Sequence, residues 1–588
     1  MTYFSPQRLA GRGDKGTQGH GEGTTPRVWS FLRASLRNLC LSAVSVVLLI
    51  LSLSAQPKPK AKPQQITYTD IAPKSNFVYR TNNNFVGKKY FPQPMCGGIA
   101  ILDYNNDGLM DIFFTNGAKL PELKKTDAAF DNCLLKNKGD GTFEDVTKSA
   151  NLLGQDLSFC FGAAAADYDN DGNTDLFIAT AARNALYHNN GNGTFAEVAK
   201  TAGLDNKMPD LLSVGGAWFD YNNDGLLDLV VANYTFWNPV KDPRCMSGET
   251  EVYCHPRTVK PVPPQLYKNI GEGKFIEVTD KAGFASAAGK GMGISIADFN
   301  NDGWQDAFIA NDTERNFLFL NQKDGTFKEV GLLFGVAYND QVQTVSAMGC
   351  DAKDFDNDGF VDIFYNDIAG QIFGLFKNDG GKFFSYASPS YNIEKISRPY
   401  TGWSAGFIDY NNDGWKDFYS ANGDLEPSSP NSKQHDSMFE NVEGKSFTDV
   451  SSKLGEAFMS LGYQRGSAFV DLNNDGFLDI VITSLDQKPK ILLNSANNQS
   501  HWLLIKLIGK KSNRDAIGAS IKVTTAAGRT LYNHVTTSVG FMSSSDVRVH
   551  FGLGHEKTIK SVEITWSNGR KQILSNVVAD KLLTIEEQ

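Results

Sequence analysis

One nine-residue string, D-x-[DN]-x-D-G-x-x-D, is written seven times along the chain. Oxygen-bearing side chains fall at positions one, three, five and nine, and glycine at position six permits a sharp turn. The candidate ligand sets are Asp103, Asn105, Asp107 and Asp111; Asp167, Asp169, Asp171 and Asp175; Asp220, Asn222, Asp224 and Asp228; and Asp298, Asn300, Asp302 and Asp306. They continue with Asp354, Asp356, Asp358 and Asp362; Asp409, Asn411, Asp413 and Asp417; and Asp471, Asn473, Asp475 and Asp479. All are hard oxygen donors, and the string holds no His or Cys, which disfavours zinc, copper and iron. Mg²⁺ would demand stricter octahedral geometry and keep more water, so the predicted cofactor is Ca²⁺, about seven ions, one per loop.

Charge arithmetic points the same way. Five loops hold three Asp and two hold four, together 23 of the 66 acidic residues. Packing such carboxylates within a few ångströms without a counter-ion forces repulsion or protonation. Seven divalent ions would move the formal charge from −9 to +5. A metal-free Asx-turn needs one Asp or Asn, not four such groups at fixed offsets. The spacing matches the first part of an EF-hand loop, where a peptide oxygen at position seven adds a donor.

The elements around the loops must position them. A small or apolar lead-in such as GGIAILDY precedes each loop, and a β-rich stretch such as DIFFTNG or DLVVANY follows. Segments such as LLKNKGDGTFEDVT come next, with Asn-Gly and Asp-Gly turn signals, so each unit reads as four antiparallel strands. Successive loops start 64, 53, 78, 56, 55 and 62 residues apart, a spacing that suits four-stranded propeller blades. Six loops are followed by a fourth-strand signature: TFEDVT, TFAEVA, KFIEVT, TFKEVG, KFFSYA and SFTDVS. The seventh is not, and the missing strand stands at the other end of the chain as TYTDIA, residues 67–72. The predicted fold is all-β, a seven-bladed propeller whose N-terminal strand closes the last blade, followed by a small C-terminal β-sandwich-like domain.

These loops resemble the FG-GAP or VCBS repeats of integrin α-subunit propellers over residues 66–498. That resemblance implies Ca²⁺ in the loop joining the first and second strands of a blade. After Gln499 the repeat stops and an independent β-rich segment, residues 499–588, begins. NRDAIGASIKV from Asn513, SSSDVRVHFGLG from Ser543 and VEITWSNGRKQILSNV from Val562 resemble the ASPIC/UnbV module. A repeat propeller followed by that module is the arrangement of the cartilage acidic protein family, whose exported calcium-binding members are not defined by one reaction.

Residues 39–55, LCLSAVSVVLLILSLSA, carry no charge and follow Arg27, Arg33 and Arg37, which reads as an export signal. Residues 1–55 are thus a tail plus a signal peptide cleaved after Ala55 or retained as an anchor, and residues 56–65 are a Lys/Pro linker. The remainder is predicted to be exported: secreted, periplasmic or on the cell surface. Arg12, Gly13 and Asp14 spell RGD, a short match on the wrong side of the signal. A net charge of −9 without a basic run in the body argues against nucleic acid, and a mean hydropathy of −0.31 against a polytopic membrane protein.

Cys245 and Cys254, nine apart in the longest insertion, are the predicted disulfide, while Cys96 and Cys160 read as buried thiols. Elaborated segments fall on the face opposite the metal loops and carry Trp237, Arg244, His255, Arg257, Tyr400, Trp403, Asp424, Glu426, His435 and Arg465. As a set they mark a candidate ligand surface. Arg465 stands where the other blades place Gly97, Phe161, Val214, Met292, Met348 and Trp403, so it is expected at the channel mouth with an acidic partner or ligand. The leading function is a non-catalytic, calcium-stabilised protein binding an extracellular protein or glycan. The alternatives are a carbohydrate-active lyase or hydrolase using Asp424 and Glu426, or a lectin. No HExxH or GxSxG pattern is present.

Overall fold

Strands that pack between two neighbours need no polar face, and this explains the continuous apolar runs along the chain. The computed structural model describes residues 66–588 other than 86, 206–207, 426–430 and 497, so the expected signal, the linker up to residue 65 and Glu426 lie outside the described residues. Among the described residues no helix is long and apolar enough to cross a membrane. In the second blade, Cys160–Ala166 and Asp175–Thr180 are buried along their whole length. The outer strands are short and anchored by one aromatic: Phe143–Asp145 buries only Phe143, and the same holds for the strands opened by Phe327 and Phe447.

Seven four-stranded sheets form the blades. Six are consecutive in sequence, and the first strands of successive sheets touch one another in cyclic order, with Ile99–Leu102 against Gln464–Val470. The seventh sheet takes its outer strand from the start of the described chain, where Tyr68 pairs with Asn494, Thr69 with Leu493 and Asp70 with Leu492. Tyr68 is buried and packs on Phe458 at 5.7 Å, the anchoring part that Phe143 plays in the first blade. The ring therefore has no unpaired edge where its two ends meet.

A ring of asparagines fastens blade to blade. The third strand of every blade ends in Asn, and its side-chain amide donates to a main-chain carbonyl in the preceding blade's loop at 2.7–2.9 Å. The series runs through Asn189 to Tyr104 and Asn269 to Tyr168 and closes with Asn137 to Leu472, which joins first blade to last.

The C-terminal segment forms two sheets, one of His501–Ile508, Val549–Gly554 and Lys581–Glu586, the other of Ser520–Thr525, Thr530–His534, Thr558–Thr565 and Lys571–Val578. It is not independent of the ring, as the sequence suggested. Its core residues Leu503, Ile521 and Val562 share one buried cluster with Tyr168, Trp218 and Leu229 of the second and third blades. Residues 535–548, between Thr530–His534 and Val549–Gly554, thread the centre of the ring. They exchange hydrogen bonds with Ile99 and Ile101, Ala163, Ile294, Cys350, Ser404 and Phe469, first-strand residues of six blades. At the tip, Phe541 and Met542 are buried among Phe161, Val214, Met292, Met348 and Trp403.

Candidate metal centres and the opposite face

Each acidic string is the hairpin between a blade's first and second strands, and position nine is the first residue of the second strand. The backbone is bent by two consecutive signals. Position four has φ of 54° to 62° and is Asn in all seven copies, and the glycine at position six has φ of 84° to 94°. Both values lie in the left-handed region, which Gly adopts without penalty and Asn tolerates.

The bend turns main-chain N–H groups onto the carboxylates and so fixes their direction. Asp103 accepts from Asp107 N at 3.0 Å and Gly108 N at 2.9 Å, and the first Asp of every loop repeats this pair. Asp111 accepts from Asn137 N at 2.7 Å and Tyr104 N at 3.2 Å, again in every blade. In the two four-Asp loops the ligand atoms of Asp167, Asp169 and Asp175, and of Asp354, Asp356 and Asp362, lie within 4.8 Å of one another. There Asp169 Oδ1 and Asp356 Oδ1 are shut from solvent with no hydrogen-bond partner. Oriented hard oxygens, some of them orphaned, are what a divalent cation would satisfy, so the residues present fit one.

Burial dominates the electrostatics. It pushes Asp111 up to about 8 and Asp220 up to about 7, both raised further by neighbouring loop carboxylates. Asp228, Asp306, Asp362, Asp417 and Asp479 are raised well above the usual range for the same first cause.

Side chains from the third strand, or from just beyond it in the fourth blade, join the loops, and the strings themselves do not announce them. Lys136 Nζ lies 3.3 Å from Asp107, Lys268 Nζ 3.6 Å from Asp224, and Lys323 Nζ 3.3 Å from Asp302. Lys377 meets Asp356 and Asp358. In the second blade the corresponding residue is His188, whose Nδ1 is 3.3 Å from both Asp169 and Asp175. In the sixth it is Glu440, which accepts from Tyr410 Oη. The conformation of the loops was legible in the strings; these visitors, well downstream in the chain, were not.

Another missed residue is the position-four Asn, legible as an invariant letter but left unread. In six loops its amide donates to the carbonyl of the next blade's loop glycine, at 3.0 Å for Asn301 to Gly359 and 3.5 Å for Asn474 to Gly108. The C-terminal segment caps this same face. Asp515 accepts from Asp167 N at 2.8 Å, Arg529 donates to Asp413 O, and Arg548 donates to Asp471 O at 2.8 Å.

On the opposite face the candidates separate. Trp237 and Trp403 are buried in the cluster around Phe541, together with Cys254. Trp237 donates to Asp242 at 2.6 Å, and Cys245 and Cys254 form the expected disulfide; Cys96 and Cys160 are free and buried. Arg244 reaches Glu251 at 3.8 Å within the insertion, and His255 and Arg257 are exposed. Tyr400 and His435 stand 5.4 Å apart, half-buried. Arg465 departs from expectation. The channel mouth is filled, the guanidinium is 1% exposed, and its partners are carbonyls rather than an acid: Pro94 at 2.6 Å, Gln464 at 2.8 Å, and Gly423 and Asp424. It also lies 3.9 Å above the Trp403 ring. Burial pulls it down to about 9.

Residues 103–178, 167–231, 298–365 and 354–420 match the FG-GAP-like repeat, and residues 509–588 match ASPIC and UnbV. The chain is similar to cartilage acidic protein 1 of Homo sapiens, 24% identical over 527 residues, covering 84% of this chain and 72% of the relative. The Xenopus tropicalis protein of that name is 24% identical over 504 residues, covering 82% and 71%. A lectin of Agrocybe aegerita that recognises non-reducing terminal N-acetylglucosamine aligns with TM-score 0.38 and 15% identity, covering 63% of this chain and 83% of the lectin. That likeness is too remote to carry an argument.

Proposed function

We propose that this chain of FG-GAP-like repeats ending in an ASPIC and UnbV segment is an exported, non-catalytic binding protein. Its ring holds about seven Ca²⁺, and its ligand is an extracellular protein or glycan met on the face opposite the metal loops. The observation that carries the metal reading is the repetition of one oxygen cradle in all seven blades, with main-chain N–H groups aiming the first and last Asp of each. Bound ions would supply positive charge where carboxylates converge, while the chain's own residues orient those carboxylates and shield them from water.

The binding reading rests on where repetition stops. The metal-loop face is capped by the chain's own C-terminal segment, so the opposite face, with exposed His255 and Arg257 beside the Cys245–Cys254 insertion, is the one left for a partner. Similarity over most of the chain to proteins named for cartilage supports an extracellular setting. Two measurements test the proposal. Titration calorimetry of metal-stripped protein should find about seven Ca²⁺ per chain, and a stoichiometry near zero rejects the metal reading. Glycan-array and matrix-protein binding with and without EGTA should give a signal that Arg257→Glu weakens; a signal unchanged by that substitution would place the ligand elsewhere.

A further inference from the structure

The geometry points to a mixed nitrogen–oxygen cation site in the second blade, formed by His188 with Asp169, Asp171 and Asp175, that prefers a borderline divalent cation of the Zn²⁺ or Co²⁺ kind to Ca²⁺. The proposal rests on the metal reading only in that this loop holds a cation.

The second-blade loop combines two variable parts that no other loop combines. It is one of two loops with Asp at position three, and it alone receives an imidazole from the third strand, where the other blades place Lys136, Lys268, Leu320, Lys377, Glu440 and Leu493. A lysine ammonium carries three donors and no lone pair, so it can neutralise a loop but not ligate a metal; neutral imidazole can. Ligand atoms of Asp169, Asp171 and His188 lie within 4.8 Å of one another. Asp169 Oδ1 is shut from solvent without a hydrogen-bond partner, and His188 Nδ1, also shut from solvent, lies 3.3 Å from Asp169 Oδ2 and from Asp175 Oδ1. A shielded carboxylate oxygen left unpaired beside an imidazole nitrogen is costly unless a cation meets both.

The surrounding groups hold the donors in place. Asp175 is wholly buried, and its carboxylate is fixed by Asn189 N at 2.7 Å and Tyr168 N at 3.3 Å. The imidazole stands edge-on to Tyr168 at 6.4 Å. Outer contacts of this kind orient ligands and raise affinity. Imidazole nitrogen with carboxylate oxygen suits borderline cations, whereas Ca²⁺ takes oxygen throughout.

The test uses Co²⁺ as a spectroscopic probe on the full chain held in millimolar Ca²⁺. Wild type should retain one Co²⁺ per chain after desalting, with visible d–d absorption, and Zn²⁺ should displace it. His188→Leu should lose that equivalent, and Leu at this strand position is already carried by the fourth and seventh blades. Lys136→His should gain a second equivalent by placing an imidazole in the first blade. No retained Co²⁺ in wild type, or the same retention in His188→Leu, overturns the proposal. If His188→Leu does not fold, Lys136→His decides, and no gain overturns it. Loss of Co²⁺ in His188→Leu from a chain that binds no Ca²⁺ would leave this site standing while the calcium reading falls.

Discussion

The two ends of the ring's first strands are built on opposite principles. At one end the strand runs into an acidic hairpin that is nearly identical in all seven blades. At the other it carries Gly97, Phe161, Val214, Met292, Met348, Trp403 and Arg465, no two neighbours alike except the methionines. The outer loops repeat because each blade meets the same neighbour on either side and needs the same turn. The channel cannot repeat, because one segment fills it. A single peptide, residues 535–548, meets the blades with different groups, so a pseudo-sevenfold ring closes on it with side chains that vary around the ring.

The largest effect should come from breaking the repeated end everywhere at once. At a free Ca²⁺ concentration a hundred times its dissociation constant, one loop adds about 2.7 kcal/mol by mass action. Several such loops together exceed the stability of an ordinary domain, about 5–15 kcal/mol. Chelation should therefore lower the melting temperature by tens of degrees or abolish cooperative unfolding, and superimposable melts in EGTA and in millimolar Ca²⁺ would falsify the calcium reading.

Next in size is the closure. Removing residues 56–64 should be nearly silent, whereas extending the deletion to residue 72 takes away the Tyr68–Asp70 strand, its pairing to Leu492–Asn494 and the buried Tyr68. The shorter sheet is left with an open edge, and aggregation or a loss of several kcal/mol is expected. Comparable melting temperatures for the two truncations would mean that the strand contributes nothing to the ring.

A more local probe reaches the non-repeating end. A Cβ on Gly98 would stand 2.3 Å from the Phe161 carbonyl oxygen and 2.7 Å from that of Met542, whereas one on Gly215 meets nothing nearer than Met542 Cα at 3.8 Å. Gly98→Ala should cost about 1–3 kcal/mol by overpacking, and Gly215→Ala, at ordinary contact distance, much less. Equal melting temperatures for the two variants would show that the segment does not fill the channel as tightly as its contacts indicate.

This contrast also explains what could be read in the chain. Blade number, hairpin placement, the closing strand and the Cys245–Cys254 pair all rest on local patterns or on a repeat that counts itself. The Asn at position four was visible seven times but carries its meaning across a blade boundary, and His188 is separated from Asp169 by a strand and a turn. SSSDVRVHFGLG was recognisable as a motif, yet nothing in its letters says that it threads a ring whose first strand lies more than four hundred residues earlier. Arg465 looked like a charge in need of an acid because open carbonyls, Pro94 in a short 3-10 turn and Gly423 after a strand end, leave no trace in a sequence.

The smallest effect belongs to one exposed link of the repeated end, and two substitutions separate its parts. Asn106 has φ of 56° and donates to Gly172 O at 3.1 Å and Asn173 Oδ1 at 3.0 Å. Asn106→Gly removes the donor but keeps a residue at ease in the left-handed region, so it should cost about 0.5–1.5 kcal/mol, the net worth of a hydrogen bond, and toward the lower end because the site is exposed. Asn106→Ala removes the donor and adds left-handed strain of roughly 1–2 kcal/mol. Denaturant melts in saturating Ca²⁺ should rank wild type above Gly and Gly above Ala. If Gly equals wild type, the inter-blade bond adds nothing measurable at this position and Asn is there for the turn alone. If Gly equals Ala, the bond carries the whole effect, and the ring is held at its rim by side chains as well as by its buried asparagines.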